Sequence, residues 1–154
     1  MNSEDIKSLL KSLEGLMYGR NYQVVFRLDY FEYCTTFDDF KRQFIQIYPG
    51  ANMEETSLSL VSSEEFWNDI NEGLDYRGDD GAGLILSITR EKELKEIQKR
   101  YKDCIALFMN KKTKLFKYNN NDDGMPGYPV FWGYQFVLQT DYFKYLFVYG
   151  SASD

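Results

Sequence analysis

Residues 142–149 read YFKYLFVY and follow a second apolar stretch, YPVFWGYQFVLQ, at residues 128–139. Aromatic and β-branched residues of this kind favour strands, and Thr140-Asp141 between the two stretches predicts the turn of a hairpin. Successive side chains of a strand point to opposite faces, and in residues 142–149 both alternating sets are largely apolar or aromatic. Each face of this strand must therefore be covered, either by helices of this chain or by a partner.

Four amphipathic helices are predicted upstream of the hairpin, because apolar residues recur there at helical spacing. The first runs from residue 3 to about residue 17, and the fourth is a charged helix over residues 90–103. Their N-caps are predicted at Ser3, Thr36, Ser62 and Thr89, with Asp39 and Glu65 completing capping boxes for the second and third. The apolar stripe of the second helix is Phe40, Phe44, Ile47 and Tyr48; that of the third is Phe66, Trp67, Ile70 and Leu74.

Further strands are predicted between these helices. They cover residues 22–30, 57–61, 83–89, 104–109 and 115–118, and the last two are expected to pair with each other across the turn at residues 110–114. Helix and strand signals intermix along the whole chain. The sequence therefore predicts one α+β domain over residues 1–154, with about four helices, a mainly antiparallel or mixed sheet of about five to seven strands, and a C-terminal β-hairpin.

The composition is that of a globular acidic protein. The chain has 154 residues, 44% of them hydrophobic and 18% aromatic, with a net charge of −6. No stretch approaches the roughly 18 apolar residues of a membrane helix, and we expect that residues 1–7 are not a signal peptide. Two cysteines, Cys34 and Cys104, are expected to be buried reduced thiols of a cytoplasmic protein. A sequence pI near 4.8 argues against nucleic acid as a direct ligand.

The chain contains no histidine. This excludes Ser-His-Asp and Cys-His catalysis and most zinc sites. Residues 119–124 match the first half of a calcium loop, but its twelfth position, which needs a bidentate Glu, is Val130, so a polar turn is expected instead. We expect no enzyme activity, no metal and no cofactor, while carboxylate pairs leave a small hydrolase as an alternative.

Residues 54–80 carry nine carboxylates against one base, Arg77, a local net charge of −8. Self-repulsion on this scale is most easily understood if a basic partner meets it. At ~100° per residue, the acidic side chains of the third helix lie opposite its apolar stripe, so they form an exposed ridge that continues into the following loop. The predicted partner-binding residues are Glu64, Glu65, Asp69, Glu72, Asp75, Tyr76, Asp79 and Asp80.

An internal partner for this block is also present in the sequence. Residues 90–117 hold ten bases and four acids, a local net charge of +6. The two blocks can neutralise each other across the fold, and this interpretation stays open beside that of a basic external partner.

In its small size, acidity, exposed carboxylates, aromatic richness and lack of a catalytic set, the chain resembles bacterial immunity proteins, which neutralise basic toxins, commonly nucleases. The resemblance covers the general character of the chain and carries no diagnostic motif. It implies that the carboxylates pair with the Lys and Arg that a nuclease uses for phosphate, which blocks the active site. A phage anti-defence protein that mimics nucleic acid is the alternative with the same acidic surface.

Overall fold

The described residues form four α-helices and a five-stranded antiparallel sheet, which confirms the α+β prediction. A computed structural model describes residues 2–79, 81–119, 124–127, 129–140 and 144–154. The helices are α1 (Ser3–Leu16), α2 (Phe37–Ile47), α3 (Ser63–Asp75) and α4 (Ile88–Phe108). The strands are β1 (Gln23–Phe31), β2 (Leu58–Leu60), β3 (Lys114–Tyr118), β4 (Trp132–Gln139) and β5 (Tyr145–Ser153), in the spatial order β1-β5-β4-β3-β2.

The predicted C-terminal hairpin is present. β4 and β5 pair antiparallel from Trp132 opposite Ala152 to Gln139 opposite Tyr145. The Thr140 N–H donates to the Lys144 carbonyl at 3.0 Å and closes the connection; the predicted turn residue Asp141 and its two successors lie outside the described residues. Because β1 pairs with the other side of β5, this last strand lies inside the sheet.

Both faces of the sheet are covered by helices of the chain itself. On one face, α1, α3 and α4 pack over Leu146, Val148 and Ala152 of β5. On the other, Phe40 and Phe44 of α2 pack over Tyr145, Phe147 and Tyr149. All but the last residue of β5 are buried. The strand with two apolar faces is therefore covered without a partner, and the aromatic side chains described between residues 129 and 149 are mostly core.

The predicted N-caps are right for α2 and α3. Thr36 and Asp39 form a complete capping box, and Ser62 Oγ accepts the Glu65 N–H at 3.0 Å. The other two are wrong. Asn2 caps α1 and Ser87 caps α4, because each of these residues has an extended backbone and its side-chain oxygen accepts an N–H three residues on, whereas Ser3 and Thr89 are already helical.

Two predicted strands are absent from the described chain. Residues 104–109 continue α4 as far as Phe108, because the buried positions Leu94, Gln98, Tyr101 and Ile105 keep helical spacing into this apolar run. Residues 83–87 belong to no helix and no sheet. Leu84 and Leu86 pack against the core, while Ile85 is 89% exposed. β3 consequently pairs with β2 and β4.

Candidate functional site

Close packing fixes the position of α3 on the sheet. Its apolar stripe, Phe66, Ile70 and Leu74, is buried in the core shared with α1 and α4. Gly73 faces the Trp132 ring so closely that a Cβ there would lie 2.7 Å from Trp132 Cε3. Trp132 is itself tied across the sheet, since its Nε1–H donates to Tyr22 Oη at 2.7 Å. The opposite side of α3 therefore faces solvent.

The exposed side of α3 carries the predicted carboxylates. Glu64, Glu65, Glu72 and Asp75 on α3 and Asp79 in the loop after it are exposed, and we call these five residues the acidic α3 surface. None of the five forms an ion pair with another described residue. Glu64 and Glu65 occupy the first turn of α3, where the partial positive charge of the helix N-terminus favours carboxylates. Asp79 Oδ1 accepts the Gly81 N–H at 3.0 Å, while Glu72 and Asp75 have no such compensation.

The other predicted site residues are placed differently. Asp69 is half-buried, and its carboxylate pairs with Lys117 on β3 at 3.6 Å. Tyr76 stacks on Phe131 with ring centroids 5.7 Å apart and an interplanar angle of 29°, so its ring belongs to the packing at the end of α3. Asp80 lies outside the described residues.

The acidic and basic blocks are neighbours in the fold. α4 runs antiparallel beside α3: Gln98 Nε2 donates to the Leu74 carbonyl at 2.7 Å, Lys102 Nζ to Asn71 Oδ1 at 3.1 Å, and Arg77 pairs with Glu91 at 3.1 Å. Among the described ion pairs, only that between Asp69 and Lys117 joins an acid of the first block to a base of the second. Internal neutralisation therefore accounts for Asp69 and does not extend to the acidic α3 surface.

A large groove lies along the outer edge of β1, and none of the predictions from sequence anticipated it. The groove has a volume of about 1300 Å³. Residues of α1 and the last turn of α4 line one side, the end of α2 and residues 124–126 line the other, and residues 27–32 lie between them. A signal for this edge was present in the sequence, because charged residues within an otherwise apolar strand, Arg27 and Asp29, are typical of edge strands.

Two carboxylates in this groove are partly buried. Burial raises the pKa of Glu14, although its Oε2 accepts the Phe26 N–H at 3.1 Å and lies 3.8 Å from Arg27 Nη1. Burial also raises the pKa of Asp29, although its carboxylate accepts a hydrogen bond from the Tyr48 hydroxyl. Burial and the neighbouring Asp29 together raise the pKa of Tyr48. Each carboxylate thus has a protein partner that holds it in place.

The chain is similar in fold to citrus MAF1. The fold compared is the five-stranded antiparallel sheet with three helices on one face and one on the other. Two crystal structures of that protein match with TM-scores of 0.60 and 0.61 at 11% sequence identity. The first match covers 94% of this chain and 98% of the citrus chain; the second covers 95% and 97%. At this identity the likeness extends to the fold alone. No family model and no curated protein matches the sequence.

Metal-ligand clusters and membrane-spanning helices are both absent from the part of the chain that the structure describes. Within residues 2–79, 81–119 and the three later described segments, no group of three or more Cys, Asp and Glu side chains converges as metal ligands do. In the same ranges, no helix combines the length and the apolar character that crossing a membrane requires. Both cysteines are buried and neither is in a disulfide.

The Asp29 carboxyl is expected to make stability depend on pH. Its pKa is higher in the folded protein than the unfolded value near 3.8, so folding favours the protonated form and stability falls as pH rises through the interval between the two values. Asp29→Asn keeps an acceptor for the Tyr48 hydroxyl but removes this titration. Urea unfolding between pH 4 and 7 should show a smaller loss of stability with rising pH in the variant than in the wild type.

Asp79→Asn is the matched control for this measurement, because it removes one exposed carboxylate with the same change in charge. It should leave most of the pH dependence in place. Identical pH profiles for wild type and Asp29→Asn would contradict the assignment.

Proposed function

We propose that the protein is a non-enzymatic binding module whose acidic α3 surface binds a basic region of another protein. The observation that carries the proposal is the exposure of Glu64, Glu65, Glu72, Asp75 and Asp79 without an ion-pair partner among the described residues. Like charges on one surface repel one another and destabilise the free protein, and a basic partner relieves the repulsion. Among the described residues, no base of α4 forms an ion pair with these five carboxylates; Lys102, which lies against α3, donates to Asn71 instead.

The finer form of the proposal is that the partner is a basic bacterial toxin, most simply a nuclease, and that the protein acts as its immunity protein. The support is the resemblance in size, acidity and aromatic content together with this exposed charge. Carboxylates on a rigid helix match the Lys and Arg side chains with which a nuclease holds phosphate. Opposite fields would also raise the association rate to ~10⁸ M⁻¹s⁻¹ at low salt.

Charge reversal on α3 tests the proposal. The variant is Glu65→Lys, Glu72→Lys, Asp75→Lys, which leaves the Asp69–Lys117 pair intact. Proteins captured from host lysate by wild type at low salt are identified by mass spectrometry, and each basic protein among them is purified and titrated. We expect the triple variant to lose at least ~10-fold in affinity, chiefly through slower association, and the wild-type affinity to fall as salt rises. For a nuclease partner, wild type should also inhibit the cleavage of DNA or RNA.

The matched control is Asp38→Lys, Glu93→Lys, Glu96→Lys, which makes the same change in net charge at exposed positions on α2 and α4. It should retain the partner. Equal losses of affinity in the two variants would show that only net charge matters and would refute a specific binding surface. The absence of any basic partner would also refute the proposal. A basic partner without toxin activity would keep the binding module and reject its immunity role. Circular dichroism of both variants tests whether they fold.

A further inference from the structure

The outer edge of β1 presents main-chain groups that point away from the sheet. In an antiparallel pair, alternate residues bond to the neighbouring strand and the residues between them face outward. The Phe26 N–H donates to Glu14 Oε2 at 3.1 Å and its carbonyl accepts from Arg27 Nη1 at 2.9 Å, so the main chain of Phe26 faces outward. Leu28 and Tyr30, two and four residues further along β1, share this orientation.

The outward main-chain groups of β1 differ in whether they have hydrogen-bond partners. Those of Phe26 are satisfied by the side chains of Glu14 and Arg27. The outward N–H and C=O groups of Leu28 and Tyr30 have no hydrogen-bond partner among the described residues. A row of unpaired main-chain groups at a sheet edge is a template for another strand. The edge is thus closed at Phe26 and open at Leu28 and Tyr30.

The open part of the edge lies within the groove of about 1300 Å³. Leu107, at the end of α4, is 83% exposed on one side, and Ile47, at the end of α2, is 50% exposed on the other. The alternate side chains of a strand added here would point to these two walls in turn. Main-chain bonding and apolar contacts are therefore available to the same extended segment.

The charges of the groove indicate what kind of segment fits. Three ion pairs lie along it: Glu4 with Lys7, Glu14 with Arg27, and Glu32 with Lys144. The remaining described charged residues that line it are one base, Lys11, and one acid, Asp29. Because the groove is electrically balanced, an uncharged segment suits it best.

A second copy of this chain does not suit the groove. The edge of β1 lies between α1 and α2, so the same edge of another copy would be held away by its own flanking helices. We propose that the outer edge of β1 at Leu28 and Tyr30 binds an extended, uncharged segment of a partner protein, with apolar residues at alternate positions, as a sixth strand of the sheet. This site does not depend on the acidic α3 surface.

Amide exchange measured by NMR on the whole chain tests the first half of the proposal. In the free protein, the Leu28 and Tyr30 amides should exchange at least ~10-fold faster than those of Asp29 and Phe31, which bond to β5. Slow exchange of Leu28 and Tyr30 in dilute protein would show that the edge is already paired and would overturn the proposal. Protection that grows with protein concentration alone would identify a second copy as the occupant and would also overturn it.

Peptide selection tests the second half. A phage library of random ten-residue peptides is selected against the whole chain, and the enriched peptides are synthesised and titrated. We expect enrichment of uncharged peptides with alternating apolar residues, and slow exchange at Leu28 and Tyr30 once they are bound. No enrichment, or binding that leaves these two amides unprotected, would overturn the proposal.

Paired variants locate the binding site of the selected peptides. Ile47→Lys, Leu107→Lys places charge on both walls of the groove and should lower affinity at least ~10-fold. Leu60→Lys, Ile85→Lys is the control, because both residues are exposed elsewhere and Leu60 belongs to β2, the opposite edge strand. The control variant should bind the selected peptides with the affinity of the wild type. If the control variant loses affinity instead, the peptides bind the other edge and the proposal is wrong.

Discussion

Replacing Phe44 with alanine is expected to lower the free energy of unfolding by about 3–5 kcal/mol. Phe44 is fully buried in the core on the α2 face of the sheet. Its ring lies within 6.2 Å, centroid to centroid, of five other aromatic rings: Phe31, Phe40, Tyr48, Tyr118 and Phe147. Those rings are held by strands and by α2, so they cannot close the cavity. Denaturant unfolding, with the midpoint and slope compared with wild type, measures the loss.

Ile47→Ala is the control on the same helix. Ile47 was predicted to be part of the buried stripe of α2, yet it is 50% exposed at the rim of the groove. Its truncation should cost less than about 1 kcal/mol, because little apolar area returns to water. Similar losses for the two variants would mean that α2 does not cover the sheet as described.

Gly73→Ala is expected to destabilise the protein by about 1–3 kcal/mol, although alanine is the better helix former by about 1 kcal/mol. The new Cβ would lie 2.7 Å from Trp132 Cε3 and 2.8 Å from Cζ3. The ring cannot move freely, since Trp132 is hydrogen-bonded to Tyr22 and packed against Phe26. Thermal and denaturant unfolding report the stability.

Gly15→Ala provides the opposite outcome for the same substitution. Gly15 lies in α1, and a Cβ added there would meet no heavy atom of another element within 4 Å. Alanine should therefore stabilise the protein by about 0.5–1 kcal/mol. A stabilising effect at Gly73 as well would show that α3 lies further from β4 than the structure indicates. The distance between α3 and β4 also determines the position of the acidic α3 surface relative to the sheet.

Local signals predicted most of the elements of the fold. The Thr36 and Ser62 caps have short-range partners three residues on, so neighbouring sequence is enough to define them. The strand prediction for residues 83–89 was wrong because β-propensity has an effect only where a neighbouring strand pairs, and neither edge strand of the described sheet, β1 or β2, pairs with these residues. The strand prediction for residues 104–109 was wrong because a short apolar run is consistent with either a strand or the end of a buried helix.

The candidate sites differ in how much of each could be predicted from the sequence. Helical phase was enough to place Glu65 and Glu72 on the exposed side of α3, since the apolar stripe of that helix is continuous. The Asp69–Lys117 pair joins α3 to a strand about fifty residues away, and only the tertiary fold brings them together. The groove depends on the sheet order, because β1 is an edge strand that pairs with β5 alone. Arg27 and Asp29 are a local sign of an edge strand, but only the tertiary fold places α1, α2 and α4 beside that edge.

The position of β5 inside the sheet has a consequence for how the chain folds. Within the described sheet, β1 pairs with β5 alone, more than one hundred residues later, so the most extensive pairings are also the most distant along the chain. Folding is slow when long loops must close, at a cost in entropy, before the contacts between their ends stabilise the chain. During synthesis, β1 lacks its partner strand and α2 lacks most of the surface that it covers until β5 is made. A chaperone that shields apolar segments would therefore act mainly on the first half of this protein.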